Sequence, residues 1–166
     1  MFKFVVLLIA GFILSLIFTF GIEAKQNQVD CVAEAIYFEA RSEPFEGQLA
    51  VANVINNRVK SSKFPNTHCD VVYQAKRIDG NIVKNKCAFS FYCDGKVEDI
   101  RDKKAYKLAE NIAKLSMQEV YVDIARKATH FHAVYVNPYW SEHLQYLGKI
   151  GKHKFYSARP SRVAST

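Results

Sequence analysis

Pro44 stands between two stretches that each carry apolar residues at helical spacing, and it forbids their forming one continuous helix. Upstream, Gln28 to Arg41 places Val29, Val32, Ala33, Ile36, Tyr37 and Ala40 at that spacing. Downstream, "GQLAVANVINNRVK" does the same with Leu49, Val51, Val54, Ile55 and Val59, to about Lys60. The residue before a proline avoids helical geometry, so the first helix ends here. A missing N–H costs little in a first helical turn, so the second helix starts here.

The joint is rich in acid: "AEAIYFEARSEPFE" holds Glu34, Glu39, Glu43 and Glu46. With Val32 set at zero and ~100° per residue, Val29, Ile36 and Ala40 fall between about 40° and 80°, the buried stripe. Glu34 falls near ~200° and Arg41 near ~180°, on the solvated side, while Glu39 falls near about −20°, bordering the core. Glu39 also sits in the last helical turn, where the negative end of the dipole disfavours a carboxylate. Partial burial disfavours the charge further, so both effects raise its pKa, as a general acid requires. The bland reading is a helix-end carboxyl paired with Arg41 or Arg58. Glu43, expected at the N-cap of the second helix, is an ionised partner of Glu39 or a simple cap, and Glu46 a first-turn dipole residue.

Beyond Lys60 the chain is mixed. "FPNT" is a turn in which Asn66 or Thr67 caps a short helix over "HCDVVYQA". "RIDGNIVKNKCAFSFYCDGK" reads as irregular strands and loops around two "DG" turns, at 79–80 and 94–95. A long helix is expected from about Glu98 to Val120, with Ala105, Leu108, Ile112 and Leu115 inside. "ATHFHAVYV" alternates as a strand, "NPYW" turns, and "KIGKHKFYS" is one short β element. The class is α+β, helix-rich with a small sheet. No repeat or linker divides residues 25–160, which read as one domain followed by a flexible tail over 161–166.

Residues 1–24 are physically different. From Phe4 to Ile22 there is no charge, a run about 28 Å long as a helix and close to the ~30 Å of a bilayer core. Two outcomes fit: an export signal cleaved after Ala24, or a retained anchor through residues 4–22. Both put the remainder outside the cytoplasm, in the periplasm or cell envelope. Four cysteines agree with an oxidising compartment. Three pairings are open; Cys87 with Cys93 closes a short loop and leaves Cys31 to Cys69. The formal net charge of +7 draws the domain to anionic surfaces, with nucleic acid disfavoured by the export segment and by the lack of any nucleic-acid motif.

Several blocks together resemble a known family. "EAIYFEARSEPFEGQLAVANVINNRV", "FPNT", "CAFSFYCDG", "ATHFHAVYVNPYW" and "IGKHKFY" follow one another as in the cell-wall hydrolases that include the spore cortex-lytic enzymes. The resemblance covers about Cys31 to Tyr156. It implies a lysozyme-like domain that cuts peptidoglycan glycan strands between N-acetylmuramic acid and N-acetylglucosamine. A monomer is expected, with no cofactor and no metal. Relatives act as lytic transglycosylases that leave 1,6-anhydro ends. The catalytic glutamate of the family's "EAR" motif corresponds here to Glu39, the residue that the helical geometry singles out. The family carries glycine where this chain has Ser42, which either strains the turn or caps the second helix.

Supporting groups are expected from the other blocks. Ser90 can hydrogen-bond Glu39 or an N-acetyl group; otherwise it is a turn serine. His130 and His132 share one face of a strand and can touch sugar or the acid, or simply pack. Tyr135, Tyr139 and Trp140 can stack on sugar rings or belong to the core. Competing readings are a hydrolytic muramidase using the same glutamate, and a zinc-dependent peptidase or amidase built on His130 and His132. Two more are a Cys31–His132–Asn137 hydrolase and a non-catalytic wall-binding module.

Overall fold

A computed structural model describes residues 25–118 and 121–159. The segment read as signal or anchor (1–24) and the tail after 160 lie outside them. Among the described residues no helix is long and apolar enough to cross a membrane.

The first helix, α1 (25–40), ends as the proline requires, and α2 (Phe45–Val59) begins directly after it. Pro44 itself is the N-cap residue, with no side-chain cap. Ser42 does not take a left-handed backbone, so the serine brings no strain to the turn, and it does not cap α2. The apolar positions anticipated on α1 are all buried. On α2, Leu49, Val51, Val54 and Ile55 are fully enclosed, and the helix is buried on every side over most of its length.

That enclosure arises because α2 lies between two packed clusters. Leu49, Val51, Ala52 and Ile55 meet α1, the short α3 (His68–Val72) and α4 (Lys103–Ser116). Ala50 and Val54 face the other way, onto Phe155 of the sheet and onto Ala125 and Ala128. Thr67 caps α3 by accepting from the Asp70 amide, as "FPNT" suggests. The helix expected over 98–120 is shorter than its periodicity. Asp102 accepts from the Ala105 amide and starts it at Lys103, while the Asp102 N–H is drawn away to the Tyr37 hydroxyl. Its buried positions include Ala109, Ile112 and Ala113; Leu108 is exposed.

Among the described residues, five strands form two antiparallel sheets. β1 (Ala75–Ile78) and β2 (Asn81–Cys87) make a hairpin whose Asp79 and Gly80 both have positive φ, at 50° and 80°, the conformation favoured in two-residue turns. β3 (His130–Ala133), β4 (Gln145–Ile150) and β5 (His153–Ser157) are ordered β3-β5-β4, leaving one edge of β3 free. Two expectations are corrected. The strand over 128–136 stops at Ala133, where a turn closed by Val136 N–H to Ala133 O sends Tyr135 outward. "KIGKHKFYS" is not one strand but the hairpin of β4 and β5.

The turn of that hairpin is anchored from the helical side. Glu43 is buried, and its Oε2 accepts from the Lys152 amide at 2.7 Å. Gly151 has φ +57°, and a Cβ there would stand 2.0 Å from Glu43 Oε2. Gly151→Ala is therefore expected to cost about 2–3 kcal/mol, from the strained backbone plus the displaced carboxylate bond. Urea unfolding should show a lower midpoint at unchanged slope.

Disulfides join Cys31 to Cys69 and Cys87 to Cys93. No described cysteine is free, so a Cys31 thiolate hydrolase is excluded.

Candidate active site

A cleft of about 560 Å³ is lined by the end of α1 and by β3. Glu39 and Phe38 form one wall, joined by the 3-10 turn Ser90–Cys93 that follows β2. His132, Tyr135, Trp140, Arg58, Phe131 and His153 line it as well. Consecutive residues of β3, Phe131, His132 and Ala133, line it together with His153 of the paired strand β5.

Glu39 is fixed at one oxygen. Its Oε1 accepts from the Ser90 amide at 2.9 Å and from the Ser90 hydroxyl at 3.0 Å. The carboxyl thus caps a 3-10 turn belonging to another element. Burial pushes its pKa above the ordinary value; hydrogen bonds from Ser90 and the Phe91 amide pull down without cancelling this, and Asp94 adds upward. Among the described residues no ion pair includes Glu39. The suggested pairing with Arg41 or Arg58 is absent: Arg41 lies over the Tyr37 ring, 5.0 Å from its centroid.

Arg58 faces the same cleft and is held elsewhere. Its Nε donates to Thr129 O at 2.7 Å, and its guanidinium lies against the Phe64 and Phe89 rings at 5.3 and 5.1 Å. Nη1 is buried without a partner. Burial brings its pKa down to about 10, with the nearby Glu39 acting in the opposite direction. Arg58 consequently stays charged beside an acid that it does not neutralise by contact.

The two strand histidines part company. His132 Nδ1 lies 2.9 Å from Ala133 O, which can only accept, so this nitrogen carries a proton; Nε2 shares a hydrogen bond of 2.9 Å with the Tyr156 hydroxyl. His130 does not line the cleft. It borders a neighbouring groove with Thr129 and Phe64, its pKa brought down to about 4 by burial and secondarily by Arg58. The Trp140 ring touches both histidines, each at 5.5 Å between centroids. Tyr139 points to solvent and packs on His143.

Glu43 is neither the N-cap nor a wall of the cleft, since its carboxylate is committed to the β4–β5 turn. Glu34 is not a plain surface charge either: it accepts from the Tyr73 hydroxyl. His153, by contrast, is a cleft residue that sequence reasoning passed over. It is buried, its Nδ1 has no partner, and burial lowers its pKa while Glu43 opposes. Its alternation with the core residue Phe155 in "HKFY" was the available signal. Among the described residues no three His, Cys, Asp or Glu side chains gather to hold a metal, so the zinc reading lacks a third ligand.

Comparison with known proteins adds to this geometry. Residues 42–156 match the family model described as Cell Wall Hydrolase, a match that begins three residues after Glu39. The spore cortex-lytic enzyme of Oceanobacillus iheyensis is 40% identical over 73 residues, 44% of this chain and 22% of that protein. Its Bacillus subtilis (strain 168) counterpart is 48% identical over 50 residues, 30% of this chain and 16% of that one. The chain thus spans less than a quarter of the length of these relatives. Among solved structures, the catalytic domain of the Bacillus cereus SleB protein superposes with TM-score 0.58 at 30% identity, covering 80% of this chain and 91% of that one. The catalytic domain of the germination-specific lytic transglycosylase SleB from Bacillus anthracis gives 0.59 at 30% identity, covering 80% and 95%.

Proposed function

Since the chain belongs to the Cell Wall Hydrolase family, we propose that it works outside the cytoplasm and cleaves peptidoglycan glycan strands between N-acetylmuramic acid and N-acetylglucosamine. Glu39 is the acid. The observation that carries this reading is a carboxyl held at one oxygen in a cleft, with its pKa raised by burial. Protonated, it gives its proton to the glycosidic oxygen as the bond breaks. The carboxylate so formed is stabilised by the Ser90 bonds and by the charge of Arg58.

What happens next decides the product. A hydrolase needs a second carboxylate, as base in the inverting case or nucleophile in the retaining case. Glu39 is the sole carboxylate among the described residues lining the cleft. That supports the lytic transglycosylase outcome, in which the muramic acid's own C6 hydroxyl attacks at high effective concentration. Glu39 then takes the C6 hydroxyl proton, leaving a 1,6-anhydro end. Mass spectrometry of digested sacculi tests this: the expected muropeptides are lighter by one water than hydrolytic products. Products bearing reducing ends would assign the chain to the muramidases instead.

The acid role also fixes the sign of a pH effect. A proton donor works below its pKa, so kcat/KM is retained through the ordinary carboxylate range and declines as pH rises past the raised value of Glu39. Ser90→Ala removes one bond that favours the anion and keeps the amide bond. Its alkaline limb should therefore move to higher pH, with a modest loss in kcat. An unmoved limb would detach Ser90 from the acid's titration.

A further inference from the structure

A second groove, of about 540 Å³, lies at the other end of β3 from the catalytic cleft. His130 and Thr129 border it at the start of the strand, while His132 and Ala133 line the cleft at its end. Three strand intervals separate the two ends, about 10 Å. The Trp140 ring bridges them by touching both histidines. A sugar chain lying along β3 thus passes from one cavity to the other within a few rings.

The groove's charge is one-sided. Lys60, Lys63 and Lys127 stand on its lining, and among the described residues none of them enters an ion pair. Asp123 is the sole acid there, and its oxygens are already bound to the Asn57 side chain and to the Ala125 and Lys127 amides, at 3.0, 2.9 and 2.6 Å. His130 stays neutral and adds no charge of its own at neutral pH. Phe64 supplies an apolar patch between the lysines.

The backbone at the rim is unusual as well. Arg126 and Lys127 both have positive φ, 55° and 62°, a conformation that side chains with a Cβ rarely adopt. Asp123 holds this bend by accepting from the Lys127 amide, and Asn57 fastens it by donating to both Asp123 and Ala128 O. Strain maintained by several bonds at once concentrates where a chain must present a group to a ligand. Here the presented group is Lys127.

We infer that this groove binds the carboxylates of the peptide stem borne by a muramic acid next to the one being cleaved. The inference rests on the proposed glycan activity. The cleft reads the sugars around the scissile bond, and the lysine groove reads the acidic substituent further along the same strand. Stem-bearing strands are thereby preferred over bare glycan, through charge pairing at a distance from the reacting atoms.

The test compares intact glycan strands with strands stripped of their stems by an amidase, using the full chain and a Lys60→Gln/Lys63→Gln/Lys127→Gln variant. For the wild type, KM should be about ten-fold lower on stem-bearing strands, a preference that shrinks with added salt. The triple variant should lose that preference with kcat and stem-free cleavage unchanged, and the corresponding triple Lys→Arg variant should keep it. Equal KM values for both substrates in the wild type, or a variant impaired equally on both, would overturn the inference. So would a wild type whose preference is abolished by a phosphodiester wall polymer that the triple variant no longer binds, since the groove would then serve phosphate. Trp140 is the single tryptophan and reports binding independently of turnover. If the wild type cleaves neither substrate yet isolated stem peptide changes its fluorescence, and not that of the triple variant, the glycan activity fails while the groove stands.

Discussion

Glu39→Gln is expected to lower glycan cleavage by about a thousand-fold, within the range that a positioned general acid contributes. The amide matches the carboxyl in shape, and its oxygen can still accept from the Ser90 amide and hydroxyl, so the cleft should keep its form. What is lost is the transferable proton. Strand binding, followed by Trp140 fluorescence, should stay near wild type while turnover collapses. A residual rate within ten-fold of wild type would remove Glu39 from the chemistry and move attention to His153, whose Nδ1 has no partner in the same cleft. Stability supplies a second check with a definite sign. A carboxyl whose pKa is raised by folding favours the folded state below its unfolded pKa and loses that contribution as pH rises through the folded value. Glu39→Gln should thus melt higher than wild type at alkaline pH, and the gain should vanish in acid.

The two disulfides should separate stability from activity. Replacing Cys31 and Cys69 by alanine opens a crosslink that spans 38 residues and is buried in the main core at Cys31. The chain-entropy estimate is about 4 kcal/mol, or roughly 10 °C in Tm for a domain of this size. Replacing Cys87 and Cys93 opens a span of 6 residues, worth about 2 kcal/mol on the same estimate. Yet this second pair closes the turn that carries Ser90 and lines the cleft itself. Activity measured well below the melting temperature should fall ten-fold or more for the Cys87/Cys93 variant, because a displacement of about 1 Å near a catalytic group is that costly. The Cys31/Cys69 variant should remain active until it melts. Equal activity losses would place Ser90 under the control of the whole core instead of its own loop.

Much of the helical half is legible from short-range rules. Helical periodicity on both sides of Pro44 locates α1 and α2, and the same wheel puts Glu39 at the border of the core. "DG" at 79–80 marks a turn, and two successive residues with a left-handed backbone there close the β1–β2 hairpin. Two of the errors share a cause. The pattern over 98–120 satisfies a helix, but the hydroxyl of Tyr37 takes the Asp102 amide and delays its start. Glu43 looks like a cap by position, and the β4–β5 turn claims its carboxylate from across the molecule. Each competing partner belongs to another element, where local spacing carries no trace of it.

The chain's own pattern therefore determined that two helices meet at Pro44 and that one carboxyl rides at the margin of an apolar stripe. It also determined that the later part consists of short β segments broken by turns. These are consequences of backbone geometry and side-chain period over a few residues. Only the tertiary structure decided what surrounds that carboxyl. It brought Ser90 from a crosslinked loop, Arg58 from the far end of α2 and His153 from β5 to one cleft, and sent His130 to a groove of its own. The physical reason is that proton affinity depends on burial and neighbouring charge in three dimensions, and those are set by packing between elements distant in sequence.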